Sequence, residues 1–227
     1  MELKYPKISS GIKLMYAAWW CALIGAIVGF VTGIVAAFAG TGVALLVASV
    51  LELAAAVVEL VVYVLQLAGL YKAAKDDGRY KKVFYMLLAE LLIAAAVIVA
   101  ALIQSYVLIF LVGIVGGLTC MVLEPLRLCL FVKYTEELVQ ENGDAGVKGY
   151  YKAIRNCIFV AYGGVIIGSI ITAVRALSWL GVVLIIVAMF SALAIVIFDG
   201  IFLHNTNKFF KALEKKADTD GYDSRVD

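Results

Sequence analysis

Glu52, Glu59 and Gln66 follow one another at intervals of seven residues, inside a stretch built otherwise of Ala, Val and Leu. Seven residues are nearly two turns of an α-helix, so these side chains and the neighbouring Tyr63 form one slowly drifting polar stripe. Carboxylates in such a setting can take up a proton, hold a cation or pair with a buried base. Other apolar stretches add Glu90, then Glu124 and Arg127 around Pro125, then Arg155-Asn156, then Asp199 with His204, Asn205 and Asn207 downstream. Three deep acids, Glu52, Glu59 and Glu90, stand against one deep cation, Arg127, so pairing alone cannot neutralise them. The candidate ligand-binding set is therefore Glu52, Glu59, Tyr63, Gln66, Glu90, Glu124, Arg127, Asn156 and Asp199. Pro125 removes one helical hydrogen bond and crowds the carbonyl of Met121, which predicts a bend among these charges.

The elements that must position these residues are six apolar runs, Leu14–Phe38, Gly42–Leu70, Val83–Ile103, Tyr106–Val132, Ile154–Val174 and Trp179–Leu203. Each reaches about 20 residues, enough to cross the hydrocarbon layer as a helix. Composition agrees: 64% of the 227 residues are hydrophobic, 16% are charged, and the mean hydropathy is +1.02. A water-soluble domain is nearer half apolar and could not cover so much greasy surface. The first run follows Lys4, Lys7 and Lys13, and Ala37-Phe38-Ala39 imitates a signal-peptidase site. It is about twice the roughly 7–15 residues of a signal-peptide core, so it reads as an uncleaved helix.

Three connections are short and nearly uncharged: Ala39-Gly40-Thr41, Gln104-Ser105 and Arg175-Ala176-Leu177-Ser178. Loops this short make their flanking helices antiparallel neighbours, which predicts three helical hairpins. The other connections and both termini carry sixteen of the nineteen Lys and Arg residues, Arg127 and Arg155 lie toward the same ends of their runs, and Arg175 alone is on the far side. The positive-inside rule then puts both termini in the cytoplasm. In a membrane so oriented, a cavity open to the cytoplasm would hydrate the buried acids. The expectation is an all-α polytopic protein of the cell membrane with a cytoplasmic segment 1–13, a transmembrane domain 14–213 and a polar, disordered tail 214–227.

Simpler readings compete. Glu90, Glu124, Arg155, Asp199 and His204 lie within two or three turns of the interface, where long side chains reach headgroups or loop lysines. Glu124 and Arg127, three apart on one helix, can pair with each other. Gly25/Gly29/Gly33, Gly113/Gly117 and Gly164/Gly168 have the spacing that lets helices approach closely, within the bundle or toward a second copy or partner membrane protein through Gly25/Gly29/Gly33. Similar lead-ins, Gly11-Ile12-Lys13, Gly78-Arg79-Tyr80-Lys81 and Gly149-Tyr150-Tyr151-Lys152, would make the hairpins copies of one unit. Inverted or parallel repeats of this kind build binding sites in transporters.

Much chemistry is absent from the pattern. Cys21, Cys120, Cys129 and Cys157 lack metal-site spacing, and His204 is the only histidine. There is no HExxH, no GxSxG and no Walker loop, and the basic residues point to lipid headgroups and not to nucleic acid. No cofactor or metal is expected. Two functions lead: a small transporter or channel subunit for a cation or cationic small molecule, and a scaffold, regulatory or immunity-type module acting through helix contacts. An intramembrane lipid enzyme using Asp199, His204 and Asn205 is a weaker third. In size and helix count the chain is similar to the substrate-binding subunits of energy-coupling vitamin importers, a likeness of shape without a shared motif, so it implies no site residue.

Overall fold

A computed structural model describes residues 5–37, 42–103, 106–143, 147–173 and 178–223. They form six helices: α1 Pro6–Ala37, α2 Gly42–Asp76, α3 Arg79–Leu102, α4 Tyr106–Glu141, α5 Tyr150–Thr172 and α6 Ser178–Asp223. All six are long and apolar enough to cross a membrane, and at most 22% of any span's most apolar window is buried within the protein. Side chains such as Phe30, Leu53, Leu92, Val107, Phe159 and Phe190 are instead exposed, which water would penalise and a bilayer does not. The chain is an integral, multi-pass membrane protein. The short connections Ala39-Gly40-Thr41 and Gln104-Ser105, residues Arg175 to Leu177, and Phe38-Ala39 of the cleavage-like motif lie outside the described residues.

Every helix runs past its apolar stretch at the charged end. α1 begins eight residues before Leu14, α4 continues nine residues beyond Val132, and α6 continues to Asp223, twenty beyond Leu203. The sequence assigned residues from 214 onward to a tail, whereas α6 carries helical structure through most of that stretch. The physical reason is that an α-helix satisfies its own backbone in water as in lipid, so it ends where capping or a turn ends it and not where hydropathy falls. At about 1.5 Å per residue the 46 residues of α6 measure roughly 69 Å, against about 30 Å of hydrocarbon.

The chain divides into two compact units, Met1–Lys81 with Glu214–Asp227, and Lys82–Leu213. In the first, α1 packs on α2 with glycine against glycine. A Cβ added at Gly11 would lie 2.5 Å from the Gly69 carbonyl oxygen, and one at Gly69 would lie 2.8 Å from that of Gly11. Ile8, Ile12, Met15, Leu70 and Ala73 close around this contact. The start of α1 is capped by the end of α2, since Asp76 Oδ2 accepts the backbone N–H groups of Lys7 (2.7 Å) and Ile8 (3.1 Å). Glu214 adds a second tie, taking Lys13 Nζ at 2.9 and 2.7 Å and the Ser9 hydroxyl at 2.5 Å.

In the second unit, the buried residues gather where the helices leave their apolar runs: Phe131, Val132, Leu138 and Val139 of α4, Ile154 of α5, and Phe202, Leu203 and Phe210 of α6. Water at that end supplies the hydrophobic drive that lipid cannot. The turn expected at Asn142-Gly143 is present, with Gly143 at φ 88° and Gly149 at φ 97°, backbone that favours glycine. Glu136 crosses that turn to cap α5, accepting the N–H of Gly149 at 2.7 Å and of Tyr151 at 2.8 Å. Gly164 and Gly168 pack on α6 as their spacing suggests, with Ala188 and Gly181 as partners. Gly113 and Gly117 do not: they face open space, and the glycine of α4 that meets α3 is Gly116, against Ile93. Gly11 lies inside α1, while Gly78 and Gly149 precede their helices, so the three lead-ins do not occupy equivalent places.

Candidate functional site

The polar residues of the spans fall into two groups, one in each unit. On α2, Glu52 and Glu59 are exposed, flanked by the exposed Leu53, Val57 and Leu60, and Tyr63 is 38% exposed one turn further on. Neither glutamate has a hydrogen-bond or ion-pair partner among the described residues. Tyr63 and Gln66 do have partners. The stripe read from the sequence is therefore a continuous helix face, with its acids presented outward.

The second group is a three-helix junction. Glu90 of α3 is buried, and its Oε1 accepts Arg127 Nε of α4 at 3.0 Å, with side-chain exposures of 7% and 13%. Desolvation makes a lone charge there expensive, and the pair offsets part of that cost. Asp199 of α6 stands within electrostatic range of the same guanidinium. Its Oδ1 is sealed from solvent and has no hydrogen-bond partner among the described residues. Further along α6, Thr206 Oγ1 and Asn207 Oδ1 are also buried without one. Two carboxylates thus share one cation, leaving an acidic excess inside the spans. Such an excess can be balanced by a proton, a metal cation or an ammonium group.

The structure corrects the local pairing. Arg127 pairs across to Glu90, whereas Glu124 is exposed and reaches Glu90 and Tyr162 only through the longer-range field of its charge. The reason is geometric: residues three apart share a helix face, but Glu90 is brought to that face by tertiary packing. Asn156 is exposed and joins neither group. α4 continues as a helix through Pro125.

Sequence reasoning missed Thr206 and Tyr162, and it noticed Asn207 without placing it in the site. The signal for Thr206 and Asn207 is a polar pair seven and eight residues after Asp199, the two-turn interval that exposed the α2 stripe. Arg155 was noticed but not placed in a site. Its Nε is buried without a hydrogen-bond partner, and its guanidinium centre stands 5.4 Å from the Tyr151 ring. The chain matches no family model, no curated protein and no solved structure.

Proposed function

We propose that the protein is a small transporter or channel subunit for a cation or cationic small molecule, built of three antiparallel hairpins with both termini in the cytoplasm. The observation that carries the reading is Asp199: a sealed carboxylate oxygen without a donor, beside a cation already engaged by Glu90. A fixed charge costs up to about 2.5–3.5 kcal/mol at the bilayer centre and less toward the interface, and ion-pathway residues are where membrane proteins retain such a cost. Asp199 is the group that exchanges a proton or cation, and the Glu90–Arg127 pair sets the field around it.

The test is flux through purified protein in sealed vesicles, with a pH dye and imposed proton, sodium and potassium gradients. Wild type is expected to conduct one of them, and Asp199→Asn to lose at least tenfold while expression and thermal stability hold. Conduction by neither, or equally by both, overturns the proposal.

Glu52 and Glu59 favour a second reading. Outward-facing carboxylates among exposed aliphatic residues suit a partner helix that brings donors, and Gly29 and Gly33 of α1 have nothing within 4 Å of an added Cβ. A helix-contact module would then show cysteine cross-links from positions 52 and 59 to another chain and no flux.

A further inference from the structure

Between α4 and α5, wholly within the second unit, runs a groove of about 560 Å³. Leu118, Met121, Leu126, Phe159 and Ile166 make its walls apolar. Arg155 and Tyr151 enter it near the start of α5, and Gly163 opens its floor deeper in, where an added Cβ would meet nothing within 4 Å. Arg155 takes part in no ion pair among the described residues, and its buried Nε has no hydrogen-bond partner there. Glu90 holds Arg127, Glu136 caps α5 and Glu137 faces Lys133 at 3.9 Å, while the exposed Glu124 reaches Tyr162 of the lining only through the field of its charge.

We infer that this groove binds one anionic phospholipid of the surrounding bilayer, its phosphate on Arg155 and one acyl chain along the apolar walls. Two features select that occupant. The first is charge: a guanidinium offers a planar fork of donors that matches a phosphate, and this one stands unpaired at the groove's charged end. The second is length. From Arg155 to Ile166 is eleven residues, or about 16 Å of helix, close to the depth of one leaflet's hydrocarbon. A free anion would leave those walls uncovered, whereas a lipid covers them and brings the charge to the required height. Basic pockets between membrane helices hold anionic headgroups in this way. The exposed Lys152, one turn before Arg155, adds a second positive charge for the headgroup. This inference is independent of whether the protein conducts ions.

The experiment is native mass spectrometry of the full chain, released from nanodiscs of mixed phosphatidylglycerol and phosphatidylcholine. Wild type is expected to retain one phosphatidylglycerol about tenfold over phosphatidylcholine, the preference a charge-assisted contact supports. Arg155→Gln should bring that ratio near one. Gly163→Leu, whose side chain enters open space, should lower retention of both lipids with helicity and melting temperature unchanged. Equal retention of both lipids by wild type overturns the inference, as does selectivity that survives Arg155→Gln. Release of the lipid by millimolar inorganic phosphate would show a soluble-anion site and overturn it too. So would a dimer, broken by Gly163→Leu, in place of bound lipid.

Discussion

Asp77 is held in its charged form by its neighbour but one. Partial burial pushes its carboxyl up, yet the Arg79 side chain at 2.8 Å, the Arg79 backbone N–H at 2.8 Å and the guanidinium charge outweigh that and keep it below the usual carboxylate range. A depressed carboxylate contributes stability that is present above its unfolded value of 3.8 and is lost as pH falls through the lower folded value. Asp77→Asn keeps the capping oxygen but loses the ion pair to Arg79, so it is expected to unfold more easily than wild type at neutral pH by up to about 1 kcal/mol. The two proteins should converge in strong acid, and thermal melts at both pH values read this directly. A gap that persists in acid would assign the loss to packing. In the sequence Asp76 and Asp77 are simply two adjacent aspartates. What the two aspartates do differs: one caps α3 and the other caps α1, sixty-eight and sixty-nine positions away. Residue type flagged Glu90, Arg127 and Asp199 as candidates, but their meeting depends on helix rotation, which no local pattern encodes.

At the scale of the helices, number and order were legible because about 20 apolar residues in succession have few alternatives. Their ends were not, because hydropathy marks where lipid stops and not where the helix stops. Glycine spacing was legible only in part for a related reason. Spacing shows that two glycines share a face; it does not show whether that face meets a neighbour. Gly168 meets Gly181, whereas Gly113 and Gly117 meet nothing within 4 Å. This gives a contrast within one helix. Gly11→Ala, with its Cβ 2.5 Å from a carbonyl oxygen, is expected to destabilise the protein by about 1–3 kcal/mol, as overpacked sites do. Gly29→Ala, with nothing within 4 Å, should be neutral or gain up to about 1 kcal/mol from helix propensity. Melting temperatures in detergent decide it, and equal effects would mean that α1 packs differently.

For the molecule as a whole, the strongest sequence signal is the distribution of eighteen of nineteen basic residues to one side of the apolar runs. We propose from it that single cysteines at Lys81 and Lys148 react with an impermeant thiol reagent only after the cytoplasm is opened. Arg175→Cys should react in intact cells, all three in a background without native cysteines. Labelling of position 81 from outside would invert the topology and the direction assigned to every site above.

The tie between α1 and Glu214 sets the order in which the protein can be completed. Ser9 and Lys13 are synthesised before the carboxylate that holds them, which lies more than two hundred positions later. The cap at Lys7 and Ile8 likewise waits for Asp76. The first of the six helices is thus fastened only after α6 has been made. Its contacts with Glu214 wait for the far end of α6, which acts as the latch of the nascent chain.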